Sequence, residues 1–228
     1  DMGNLIKDKN FEFLLSYTAF REVIALPAVY NDDLGYYQAT FTPTKAGEYL
    51  ISLGYDDEDV ATSVLNVYKS LTDLANIVEA AEAGATITLD GNYTYIEAFD
   101  SAIVDGIVID KDITIKGEGT ICGDNLARLF KVTQGNTLTL KDLTICHGAA
   151  ENGGGVFVDA GATLVADNVA FNDNTATYRG GAIWSTGTVN VDNCVFDNNN
   201  ITYRASNVDN GGAAIFNNGT LNVNHSNF

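Results

Sequence analysis

Proline, methionine and tryptophan are nearly missing from this 228-residue sequence, which holds two, one and one of them. Lys and Glu are sparse as well, while Asn, Thr, Val, Ile and Gly dominate. That vocabulary points to strands and turns rather than helices. Positive charge is scarce: 12 basic against 30 acidic residues leave a net charge of −18. Such a field repels phosphate backbones and anionic lipid, which argues against nucleic acid and membrane surfaces as partners. No apolar run approaches the roughly 20 residues of a membrane span, so no direct membrane insertion is expected, and no signal peptide opens the chain. The three cysteines, Cys122, Cys146 and Cys194, form no CxxC pair and show no Cys/His spacing of a zinc site.

What the sequence has instead is a two-part motif recurring about every 25 to 32 residues. One part is Gly-Gly-Ala/Val followed by apolar residues, at Gly153 to Phe157, Gly180 to Trp184 and Gly211 to Phe216. The other is a strand phrase ending on an aromatic and then asparagines: TLVADNVAF-NDN from Thr163, TVNVDNCVF-DNN from Thr188, TLNVNHSNF from Thr220. A fixed period of this size marks stacked structural units. Alignment of the repeats predicts three apolar columns. They are Ile113, Leu138, Leu164, Val189 and Leu221; Ile115, Leu140, Ala166, Val191 and Val223; and Ile121, Ile145, Phe171, Phe196 and Phe228. Each rung of such a stack buries its face only against its neighbours. Asp167-Asn168, Asp192-Asn193 and Asn224-His225 fall at one corner, where Asn tolerates left-handed φ. The fold expected is all-β, a right-handed parallel β-helix over residues 70–228. Because the repeat runs to Phe228, the chain is expected to be part of a longer polypeptide, with an open strand edge at that end.

Residues 1–69 carry no repeat. Short alternating runs, Tyr37/Ala39/Phe41, Tyr49/Ile51/Leu53/Tyr55 and Leu65/Val67, are separated by turn signals and predict a small antiparallel sandwich. Ser70 or Thr72 then caps a helix with Leu71, Leu74, Ile77, Val78 and Ala81 on one face, ended by Gly84. A short amphipathic helix there would cover the open end of the first rung.

The GGAI and FxxN repeats, Gly180-Gly181-Ala182-Ile183 with Phe171-Asn172-Asp173-Asn174 and Phe196-Asp197-Asn198-Asn199, resemble those of the polymorphic outer membrane protein repeat family. YYQATFTPTKAGEYLISLGY resembles the later strands of immunoglobulin-like surface modules. The layout from about residue 36 onward is similar to adhesin-like surface proteins of methanogenic archaea, in which such modules accompany pectate-lyase-like β-helices. The resemblance implies an extracellular, cell-surface protein attaching to host or microbial glycans or proteins, with no catalytic residues to carry over. A polysaccharide lyase or hydrolase, and a purely structural spacer, are the alternatives.

Candidate contact residues are Tyr178-Arg179 and Tyr203-Arg204, placed to form adjacent aromatic–cationic steps on one wall, with residues 200–210 inserted beside them as a protruding loop. Asp173 with Asp197, and Asp167 with Asp192, are expected in register at turns. Asp32 and Asp33, with Asp56, Asp57 and Asp59, offer oxygen ligands of the kind Ca²⁺ takes, but without EF-hand spacing they read as solvated turns, so no cofactor is expected. Cys194 reads as a small buried hydrophobe. Cys122 and Cys146 fall on adjacent rungs about 4.8 Å apart, which permits a disulfide without demanding one; free stacked thiols are the default. Sequons at Asn92, Asn200, Asn218 and Asn224 suit an exterior protein.

Overall fold

The computed structural model describes residues 12–17, 22–33, 36–41, 47–55, 58–67, 69–203 and 211–228. The chain divides into two compact units, residues 1–68 and 69–228.

The first unit is antiparallel. Strands Glu22–Pro27, Glu12–Tyr17, Gly47–Tyr55 and Glu58–Val67 lie in that order in one sheet, and Val29–Asn31 pairs with Tyr36–Gln38 in a second. Leu15 and Tyr49 are buried at its centre, with Phe13, Ile24, Leu26, Phe41, Ile51, Leu65 and Val67 packed around them. Tyr49, Ile51 and Leu53 share a face, as the alternation predicts, while the intervening Leu50 is exposed.

The second unit is a β-helix-like stack of parallel strands. One parallel sheet runs Ile107–Ile109, Phe130–Val132, Val156–Val158, Ile183–Ser185, Ile215–Asn217. A second face carries Ala85–Thr88, Ile113–Lys116, the first halves of Thr137–Cys146 and Thr163–Asn172, then Thr188–Asp192 and Thr220–Asn224. The chain bends at Asp142, Asn168, Asn193 and His225, all with φ between 44° and 55°, and continues along a third face. There Ile121 pairs with Ile145, Ile145 with Phe171, and Phe171 with Phe196. A fourth face holds Ala149–Asn152, Thr175–Arg179 and Asn200–Ile201.

All three apolar columns stand as the alignment predicts. Within the stack Leu138, Leu140, Ile145, Leu164, Phe171 and Val189 are fully buried, and Phe171, Phe196 and Phe228 stack nearly parallel at 4.8 and 4.7 Å. Towards the chain's end Leu221, Val223 and Phe228 are 40%, 42% and 67% exposed.

Helix α1, Leu71–Ala80, closes the other end. Ser70 caps it through a capping box with Asp73, and Leu71, Leu74 and Val78 enter the core of the stack, whereas Ile77 stays on the solvent side. The sequence gives no periodic signal for a second, four-residue helix, α2 (Glu97–Asp100). Its last residue is nonetheless important: the fully buried Asp100 carboxylate accepts hydrogen bonds from the amides of Leu71, Thr72 and Ile96. It satisfies donors that the start of α1 would otherwise leave orphaned inside the protein.

The FxxN asparagines form a second internal ladder. Asn174 is fully buried; its Oδ1 accepts from Gly148 N at 2.9 Å, and its Nδ2 donates to Ile145 O and Asn199 Oδ1 at 3.0 Å. Asn199 Nδ2 in turn donates to Phe171 O at 2.8 Å. Each amide thereby fills the corner of the rung below it. Asn174→Ala would strand a buried amide and carbonyl, so a loss of about 3 kcal/mol is expected in denaturant unfolding. Asn190→Ala, which removes only a surface amide contact to Asn222, should stay within about 0.5 kcal/mol.

Candidate ligand-binding wall

The glycine motif sets the geometry of the stack's first and fourth faces. Gly180 turns the chain between strands Thr175–Arg179 and Ile183–Ser185 at φ +64°, and a Cβ there would run into the Ile183 carbonyl. In the following rung Gly212 takes this place at φ +65°, while Gly211 aligns with Arg179. The third repeat is therefore read one residue later than its first glycine suggests.

Beyond each turn an aromatic side chain projects outward. Lys131, Phe157, Trp184 and Phe216 pair in register across four rungs. Phe157 and Trp184 stack with centroids 4.2 Å apart. Cations lie over the ends of this ladder: Arg128 and Lys131 over Phe157 at 4.9 and 5.9 Å, and Arg179 over Phe216 at 5.0 Å. Arg128, which sequence reasoning passed over, is mostly buried. Its guanidinium donates to the carbonyls of Gly153, Asp105 and Asn152. Burial lowers its pKa from the ordinary arginine value, against the opposing pull of Asp105.

Tyr178 and Tyr203 meet on the fourth face, edge to face at 5.4 Å, and are 39% and 48% exposed. The register between Ala149–Asn152 and Thr175–Arg179 slips at this point, so Tyr178 sits in an irregularity of the kind that re-aims side chains. The expected tyrosine step is thus assembled. Its cations are arranged differently from the expectation: Arg179 covers Phe216 on the adjoining face, and Arg204, with most of the proposed 200–210 loop, lies outside the described residues. The two tyrosines and the capped ladder flank the Gly180 turn on adjoining faces, and together they form the candidate wall.

The acidic candidates are dispersed. Asp167 and Asp192 are in register, as expected, and each meets a cation or imidazole: Lys141 at 3.4 Å and His225 at 2.9 Å. Asp197 pairs with Asn172, not with Asp173, which aligns with Asn198 as the left-handed corner residue (φ 54° and 52°). The position after the aromatic, not the residue type, decides the register. Asp32 and Asp33 form the turn between the two strands of the first unit's small sheet, where Asp33 N donates to Asn31 Oδ1 at 3.1 Å. Asp56 and Asp57 lie outside the described residues, as does the side chain of Asp59. A groove of about 320 Å³ runs along the outside of the stack between Glu118, Thr120, Asp142, Thr144, Asn168 and Asn193.

Cys194 is fully buried, and burial raises its thiol pKa. Cys122 and Cys146 pair in register with Cα atoms 4.6 Å apart and are joined by a disulfide, so the free-thiol default gives way. The column permitted the bond; parallel register sends both side chains to the same side of the sheet on neighbouring strands, within bridging reach.

Residues 168–186 match the Chlamydia polymorphic membrane protein repeat. This segment spans the second half of strand Thr163–Asn172, the asparagine corner, Tyr178, Gly180 and Trp184. No curated protein and no solved structure matches the chain. Among the described residues, no helix is long and apolar enough to cross a membrane.

The turn geometry separates the two glycine classes. Gly180→Ala should lower stability by at least about 2 kcal/mol and disturb the fluorescence of the adjacent Trp184. Gly211→Ala meets only the Phe216 ring at 4.0 Å and should leave both unchanged. Unfolding curves followed by tryptophan emission check both outcomes.

Proposed function

We propose that this chain belongs to an extracellular, cell-surface adhesin-like protein. Its second unit is read as a right-handed, pectate-lyase-like parallel β-helix that attaches to glycans or proteins of neighbouring cells without catalysis. The first unit is read as an immunoglobulin-like module that accompanies it, as in the archaeal surface proteins the sequence resembles.

One observation carries this reading: the exposed Tyr178–Tyr203 step beside the cation-capped Phe157–Trp184–Phe216 ladder. Exposed tyrosine rings with arginine on the adjoining face suit the apolar faces and hydroxyl edges of sugars, and equally extended peptides. The match to the Chlamydia polymorphic membrane protein repeat, over residues 168–186, takes in Tyr178 and Trp184, which favours a surface role. The net charge of −18 suits a solvated exterior and disfavours nucleic acid. A second reading, a polysaccharide lyase or hydrolase, draws on the groove flanked by Glu118 and Asp142, where two carboxylates face solvent on neighbouring rungs.

Glycan-array binding tests the first reading. The chain should bind a subset of glycans, and Tyr178→Ala or Tyr203→Ala should weaken that binding about tenfold, the effect of losing roughly 1.4 kcal/mol of aromatic contact. Unaltered binding in both variants would remove the wall from the proposal. In parallel, incubation with pectin and alginate, with and without Ca²⁺, should release no unsaturated or reducing ends; their release would establish the second reading.

A further inference from the structure

We infer that Cys122, Cys146 and His147 form a redox-gated site for a soft divalent cation: closed as the disulfide, and open to Zn²⁺-like ions when the pair is reduced.

The column in which the cysteines stand is otherwise polar. Thr94, Cys122, Cys146, Asn172 and Asp197 succeed one another in parallel register up the stack. Every other member is polar, whereas the neighbouring column of Ile121, Ile145, Phe171 and Phe196 is wholly apolar. The next residue of the column, Asn172, has an enclosed Oδ1 with no hydrogen-bond donor among the described residues, leaving an unspent acceptor beside the pair.

The corner that follows is exceptional in the same rung. In later rungs Asp173 and Asn198 hold the left-handed position, with φ of 54° and 52°. In the rung of Cys146 it is held by His147, with φ 49°. That backbone conformation brings the imidazole back over the cysteines: Nδ1 lies 3.8 Å from Cys122 Sγ, and the three potential ligand atoms lie within 4.8 Å of one another. Among the described residues this is the one grouping of three His, Cys or carboxylate side chains close enough to share an ion.

The geometry suits zinc. Bonds of about 2.3 Å to sulfur and about 2.0 Å to nitrogen place tetrahedral ligand atoms roughly 3.5–3.8 Å apart. The Cys122–His147 separation of 3.8 Å is within about 0.3 Å of the sulfur–nitrogen spacing, and the strand spacing of about 4.8 Å lets two thiolates separate by side-chain rotation. Three ligands leave the fourth position to water. Access comes from one side: Cys122 is half-buried and His147 lies at the surface, while Cys146 is buried behind them.

Opening the site needs an external thiol or phosphine reductant. Two electrons and two protons convert the disulfide to two thiols, while the reductant becomes its disulfide or phosphine oxide, the latter taking its oxygen from water. Binding of the ion then releases the two thiol protons to solvent.

Cobalt(II) alone, added anaerobically to the full 228-residue chain, is the probe. After phosphine reduction, one equivalent should bind with a thiolate-to-cobalt charge-transfer band and tetrahedral d–d absorption, and Zn²⁺ should discharge both. The oxidised chain should show neither. Cys122→Ser should abolish the signal, and His147→Ala, which keeps both thiols, should weaken binding at least tenfold, while Cys194→Ser should leave it intact. Circular dichroism of the reduced chain should retain its β signal. A folded, reduced chain without the charge-transfer band overturns the inference. So does unchanged affinity in His147→Ala, and so does loss of the fold on reduction, which would make the bond a structural staple only.

Discussion

The second unit depends on one constraint: parallel strands in a stack place like over like. A strand in register with its neighbours directs its backbone hydrogen bonds up and down the stack, so no rung can satisfy its own polar groups alone. Every position must therefore tolerate a near-copy of itself about 4.8 Å away. The apolar columns meet that demand by burial, as the stacked rings of Phe171, Phe196 and Phe228 show. The polar corners meet it by left-handed backbone and by amide ladders that run from Asn199 to Asn174 and on to Gly148. Apolar stacking supplies the driving force, and the asparagines fix which residue of each rung sits over which.

An end of such a stack is a problem in itself, because its last rung has nothing above it. At the first rung the solution is α1, whose Leu71, Leu74 and Val78 cover the apolar end. Placing a helix N-terminus there would leave amides unpaired, and the carboxylate of Asp100 meets two of them from α2. The arrangement joins three elements of separate origin in the chain: a capping box, a four-residue helix and the first parallel strands. Lys69 and Tyr93 add a further tie by both bonding Asp90, whose carboxyl the hydrogen bond from Lys69 holds below its ordinary value.

Those parts of the structure that repeat were legible in the sequence. The columns from Ile113 to Leu221 and from Ile115 to Val223 could be written down in advance because each rung repeats the same demand in the same order. The Ser70 cap and α1 followed from a local signal of similar clarity. What does not repeat was hidden. Asp100 acts on residues 28 and 29 positions earlier, and nothing local to the short segment containing it announces a helix. Arg128 is buried because three carbonyls from two other segments converge on it. The pairing of Asp173 with Asp197 was misplaced by one position because it matched residue types, whereas the corner selects the second residue after the aromatic. In the candidate wall, the tyrosine step was visible as a repeat. Phe157, Trp184 and Phe216 stand in the sequence as the aromatic ends of the glycine motifs, but the cations over them come from separate turns with no repeat to align them.

The stack stands or falls on its register, which paired cysteines can read directly. Thr139 and Val165 face each other on neighbouring strands of the second face. Cysteines introduced at both positions should oxidise to a disulfide in high yield under mild conditions, identified by peptide mass. Thr139 paired with Asp167 or with Thr163, each shifted by two residues along the same face, should not. Efficient bonding of a shifted pair, with failure of Thr139 and Val165, would contradict the stack.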